Sequence, residues 1–252
     1  MTQLIRIHAS FRNLRAGTFL SLLLLLAGHL PARGQTVYGP SGLFVHPSAY
    51  TSDRGAFGLN VSYFKQFLGN GIHADWLPVI ATYGVTRKLE VGGIYVDRRF
   101  GKFDRGSQGA FAQYQLVPDS STGPAVALVG SFIAGDLRQT TISAVASHTF
   151  GAGSKPGITL SGGLEWARRG DIPRPADAAG LFAGIEVPVG GGFRLVGEDG
   201  TRLSFDAAPA SSFGAMWSGN GSMRLGVAFV NTGRSHTDGF FVGAGYTFGG
   251  SK

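Results

Sequence analysis

The sequence predicts an all-β chain, an antiparallel transmembrane β-barrel of about twelve strands. Three observations carry this. From Gly55 onward, apolar and small or polar residues alternate at period two in one short segment after another. The connections between segments alternate between short turns and longer charged stretches. The aromatic residues of the apolar face gather at the two ends of the segments instead of their middles, as rings do at the two surfaces of a membrane.

Composition narrows the class. With 41 glycines, 12% aromatic and 15% charged residues in 252, the chain resembles neither a disordered polypeptide nor an ordinary globular enzyme. Outside the N-terminus no apolar run reaches the ~20 residues of a helical span. The lack of cysteine removes disulfides, thiolate metal sites and a lipoprotein anchor. Of the 22 basic residues, Arg6, Arg12, Arg15 and Arg33 lie in the first 34 positions. The remaining 18 stand against 15 acidic residues, a net +3. No basic tract or aromatic-basic platform points to nucleic acid.

In chain order, residues 1–34 read as a secretory signal peptide. A positive start is followed by the apolar run Ala16–Leu30, the breaker Pro31, and small residues at Ala32 and Gly34, with cleavage before Gln35. Residues 35–54 form a segment whose Pro40, Pro47 and glycines argue against a strand paired on both edges. Its apolar cluster Leu43, Phe44 and Val45, stiffened by Pro47, suits either a plug in the mouth of the barrel or an arm along its rim. A plug would dock on Gly58, Gly243 and Gly245.

Residues 55–252 form the barrel. Phe57, Leu59, Val61 and Tyr63 share one face of the first strand. Leu77 to Val85 and Leu89 to Tyr95 follow around the turn Thr86–Lys88. Further strands are expected at 108–117, 125–134, 140–150, 158–167, 179–189, 193–203, 211–218 and 222–230, with a last strand ending at Phe248. Pairing Val85 with Leu89, Val189 with Phe193, and Trp217 with Met223 keeps the apolar sets on one side of each hairpin. The longer connections, Asp97–Ser107, Arg168–Asp177, Gly200–Ala210 and Asn231–Gly239, carry most of the charge. An even strand count puts both ends of the barrel on the short-turn rim.

In this register Tyr63, Tyr95 and Trp166 belong to one aromatic girdle, and Tyr83, Trp217, Tyr246 and Phe248 to the other. Ala144, Leu160, Ile185 and Val227 face lipid between them. The opposite face is dominated by small residues such as Ser143, Ser147, Thr159 and Ser161. It also carries Glu90, Glu165, Glu186, Arg194, Glu198 and Arg224, which a wet lumen tolerates and lipid does not. Such a face serves either a polar conduit or an internal salt-bridge network.

Catalytic candidates are Ser235-His236-Thr237-Asp238 in the last long connection, His73 with Asp75 in the first, and His148. Side chains so close in sequence rarely converge as a triad, so no enzyme is expected. No metal cluster, P-loop or dinucleotide fingerprint occurs, and no cofactor is expected.

Two resemblances add to this reading. Gly243-x-x-Tyr246-x-Phe248 resembles the C-terminal strand signal of bacterial outer-membrane β-barrels, although Phe241 replaces a usual polar residue and Gly249–Lys252 follow the aromatic. It implies an outer-membrane location, after export through the inner membrane, with lipid and the barrel-assembly machinery as partners. Gly42-Leu43-x-x-x-Pro47-x-Ala49 resembles the opening motif of the exopolysaccharide-associated YjbH-like barrels. That likeness implies support of envelope polysaccharide export. The expected function is thus a passive conduit for small hydrophilic solutes or such an export barrel. A structural or surface-binding barrel, and more remotely a lipid-modifying hydrolase, are the alternatives.

Overall fold

In the computed structural model, the described residues are 36, 40–69, 72–101, 103–151, 157–170, 176–202, 211–219, 222–231 and 238–250. The expected signal peptide lies outside them. Twelve strands follow one another: β1 (Phe57–Gly69), β2 (Ile72–Gly84), β3 (Leu89–Phe100), β4 (Phe103–Val117), β5 (Ala125–Gly135), β6 (Gln139–Phe150), β7 (Ile158–Arg169), β8 (Ala176–Gly190), β9 (Phe193–Arg202), β10 (Ser211–Gly219), β11 (Met223–Asn231) and β12 (Asp238–Phe248). Each pairs antiparallel with its neighbours in sequence. β1 then pairs β12 from Phe57↔Phe248 to Gln66↔Gly239, closing the sheet. A closed sheet has no free edge, so its backbone groups are satisfied where no water reaches them.

The outer face is apolar over a continuous belt. Leu164 is 59% exposed and Phe213 64%, and Leu128, Phe132, Leu160, Ile185 and Val227 join them. An exposed apolar surface of that extent is untenable in water and is what a lipid-facing wall requires. Tyr63, Tyr83, Tyr95 and Trp166 stand exposed in the belt, while Trp217 and Phe248 are half-buried. Tyr246 differs from expectation: its position faces outward, but it is only 5% exposed, and its ring lies 4.5 Å from that of Phe248.

Several strands run further than their apolar alternation. The expected loop Asp97–Ser107 is a hairpin extension in which Arg99 pairs Asp104 and Phe100 pairs Phe103, turning at Gly101. His73 and Asp75 likewise lie on β2, not in a loop. Beyond the lipid both faces are wet, so the backbone ladder continues after the period-two signal has stopped.

The short turns also differ in detail. Val85 donates its N–H to the Leu89 carbonyl at 2.9 Å. Val187 faces Leu195, but a bulge between Pro188 and Gly190 takes Val189 out of register, and Gly190 meets Phe193. Trp217 faces Leu225, and Met223 pairs Gly219 instead. That shift of two residues preserves the face, since side chains alternate at period two.

The inner face is less uniformly small and polar than expected. Ile80, Ile94, Val96, Phe111 and Ile133 cluster there with Leu137, and Trp76 packs on them. Stretches such as Ile94-Tyr95-Val96 and Phe132-Ile133 are apolar on both faces, which hides the inner set from an alternation argument.

Candidate functional site

The segment preceding β1 folds into a small hairpin inside the barrel. Leu43 N–H donates to the His46 carbonyl and Ser48 N–H to the Ser41 carbonyl, each at 3.0 Å, and Gly42 bridges Pro47. Pro40 and Pro47 lack amide donors, which keeps these flanks out of the sheet ladder.

The tip turn aims three consecutive amides at one carboxylate. Glu198, on the inner face of β9, accepts the N–H groups of Phe44, Val45 and His46 at 3.1, 2.8 and 2.9 Å. His46 Nδ1 lies 3.1 Å from its Oε2, and Ser212 Oγ donates at 2.5 Å. The Glu198 side chain is fully buried, and this donor shell replaces the water it has lost. The His46 ring stacks on Phe182, with centroids 4.7 Å apart.

Beside the carboxylate, Leu43 and Phe44 pack with Val196, Met216, Ala228, Val230 and Phe241. The Phe44 ring meets Phe241 edge-on at 5.4 Å. Two glycines make room: a Cβ at Gly184 would collide with Leu43, and one at Gly226 would press on Phe44 at 3.2 Å. Two of the expected docking glycines meet wall residues. Gly243 faces Phe241 and Ser62, and Gly245 faces Leu59 and Asn60.

A second carboxylate holds the base. Glu90 on β3 accepts from Ser41 N and Oγ at 3.1 and 2.7 Å, and from Ser52 N and Oγ at 2.8 and 2.5 Å. Amides on β4 take the carbonyls: Gln113 Nε2 donates to Ser48 and Tyr50, and Gln115 Nε2 to Ala49. Ser147 Oγ accepts the Ala49 N–H at 2.9 Å. Ala49 itself packs against Ala125, Ala127, Val129, Val145 and Phe182.

Two further inward carboxylates have partners on the wall. Arg194 pairs Glu186 at 3.2 Å, and Ser143 donates to Glu165 at 3.4 Å. Arg224 occupies an inward position on β11, across from Ser218 and Gly245.

At the rim, the phenol of Tyr50 donates to Asp119 at 2.8 Å, and His148 Nδ1 meets the other Asp119 oxygen at 2.8 Å. Burial pushes the Asp119 carboxyl up, but hydrogen bonds from Tyr50, His148 and the Thr149 amide outweigh it and hold it below 3.8. A depressed native value means this latch contributes stability above pH 3.8, and loses it as pH falls through the lower native value. The protection factor of the Thr149 amide should therefore drop below pH 3.8, and Asp119→Asn should abolish that pH dependence.

Of the described catalytic candidates, His73 lies beside Asp75 and His148 beside Asp119. His73 and Asp75 are 3.7 Å apart, and the Asp75 carboxylate also takes the Tyr63 hydroxyl at 2.6 Å. Ser235, His236 and Thr237 lie outside the described residues, and Asp238 opens β12. Among the described residues no group of three or more metal-binding side chains occurs. Sequence reasoning missed Gln113, Gln115, Phe182 and Met216. Their inward parity was readable, but uncharged amides and lone apolar residues carry no sign of what they face.

A closed twelve-strand sheet, apolar outside and holding a segment of its own chain inside, invites comparison with known barrels. The fold is that of an outer-membrane β-barrel. The KdgM porin superposes with a TM-score of 0.57 at 11% identity, over 76% of this chain and 99% of the porin. The same porin in complex with disordered oligogalacturonate gives 0.56 at 10% identity, with the same coverage of both chains. An outer-membrane channel from Pseudomonas putida F1 gives 0.53 at 12% identity, over 81% of this chain and all of the channel. No protein-family model and no curated protein matches the sequence.

Proposed function

We propose that this outer-membrane barrel is a passive conduit for small hydrophilic solutes, its bore narrowed by residues Ser41–Ser48. The observation that supports this best is how the interior is filled. The hairpin is a piece of chain apart from the wall strands, held by hydrogen bonds to Glu90, Glu198, Gln113 and Ser147 and by the apolar packing of Leu43 and Phe44. Such bonds exchange readily with water, so the filler can leave without dismantling the wall. The fold likeness to a porin and a channel agrees with this reading. In the cell the barrel sits in the outer membrane with its short turns toward the periplasm.

A second reading is support of envelope polysaccharide export. It is favoured by the fact that the motif residues Gly42, Leu43, Pro47 and Ala49 are those that form and seat the hairpin.

Liposome swelling tests the conduit. Proteoliposomes of the refolded chain should swell in small neutral sugars faster than protein-free liposomes. No flux from either the full chain or a hairpin deletion would leave a structural barrel.

A further inference from the structure

We propose that Glu198 and the adjoining apolar pocket form a binding site for arylethylammonium ions, occupied in the resting barrel by the chain's own Phe44. This rests on the reading of Ser41–Ser48 as a displaceable filler.

The argument is one of shape and donors. The backbone nitrogen, Cα, Cβ and ring of Phe44 trace the skeleton of phenethylamine. That nitrogen lies 3.1 Å from Glu198 Oε1, and the ring lies 5.4 Å from Phe241 among Val196, Met216, Ala228 and Val230. As an amide, the nitrogen brings a single neutral donor. The carboxylate completes its shell with the amides of Val45 and His46, the His46 ring and the Ser212 hydroxyl. An ammonium brings three donors and a full positive charge on the same atom. The amide bond to the carboxylate is already charge-assisted through its acceptor; the ammonium adds the attraction of its own full charge, which is little screened in a buried site.

A free arylethylammonium thus satisfies Glu198 from one atom while its ring takes the place of Phe44. The hairpin tip loses its anchor as the ligand gains one. Gly226 leaves the ring position open on the wall side, where a side chain would press on it. Solutes with only one of the two parts, a cation without a ring or a ring without a cation, fill half of the site.

The chain has no cysteine, so Val45→Cys supplies a single thiol at the half-buried hairpin tip. Maleimide labelling of this full-length variant, purified in detergent, reads tip exposure independently of solute flux. Phenethylammonium should raise the labelling rate saturably, by about tenfold, equivalent to ~1.4 kcal/mol of competition. Ethylammonium and phenethyl alcohol should have little effect, and Glu198→Gln should abolish the response.

An unchanged rate with phenethylammonium, or equal acceleration by the two half-ligands, overturns the site. Calorimetric titration of the unaltered chain with phenethylammonium covers the case in which Glu198→Gln fails to fold. Saturable binding upholds the site there, and no binding overturns it. Full labelling without ligand overturns both the filler reading and the site. A barrel that labels as expected but passes no solute keeps the site and loses only the conduit.

Discussion

Removal of Tyr38–Ala49, with the leader kept, is expected to leave a folded barrel whose conductance in planar bilayers rises several-fold. The deleted stretch contains Leu43 and Phe44, 1% and 2% exposed at the centre of an internal cluster, so its loss opens space inside the closed sheet. It also removes the Ser41 donors of Glu90, leaving those of Ser52, and every donor of Glu198 given above except the Ser212 hydroxyl. In a water-filled bore both carboxylates are rehydrated, so the deletion strands no charge in a dry interior. Unchanged conductance with normal folding would show that the hairpin does not obstruct the path. Failure to assemble would show that the wall needs the hairpin to hold its inner face together.

The second large effect concerns the wall. Leu160→Arg should destabilise the barrel in lipid vesicles by about 2–4 kcal/mol relative to Leu160→Ala, because a guanidinium there meets hydrocarbon. Leu160 is 44% exposed on the outer face beside Ile185, to which it pairs across β7 and β8. An inward substitution is a poor control here. Ser161 bonds Ser147, which holds the Ala49 amide, and Gly184 abuts Leu43, so bulk at either position disturbs how the inner segment is seated. A difference below about 1 kcal/mol in urea unfolding, the value seen near the interface, would take Leu160 out of the membrane interior.

The parts of the fold that lipid dictates were legible from sequence. Leu160, Ile185 and Val227 could be assigned outward because hydrocarbon demands an apolar residue at every second position. An even count of such strands put both ends of the barrel on one rim, where Phe57 pairs Phe248. Where lipid ends, so does the signal: Asp97–Arg99 and Asp104–Ser107 are polar on both faces, and their pairing is visible only in the backbone. The site was legible by halves. Pro40, Pro47 and the run Leu43–Val45 marked a segment with reason to dock, and parity turned Glu90 and Glu198 inward. Nothing local connects the two, since the amides that Glu198 collects are satisfied by a residue 154 positions away. The placement of Phe44 was equally hidden, because its pocket is drawn from four separate strands, β9 to β12.

Those separations bear on the order in which the molecule matures. The hairpin is synthesised before every strand, yet its partners arrive in sequence: Glu90 49 residues after Ser41, Ser147 98 after Ala49, Glu198 154 after Phe44. Phe241, against which the tip ring rests, belongs to the final strand. The first-made piece is therefore the last to find its full set of contacts, and it does so only when β12 is in place. A chain stalled before that strand offers the base of the hairpin its clamp but leaves the tip without a complete seat. The resting place of Phe44 thus makes the leading segment a gauge of whether the cylinder has been finished.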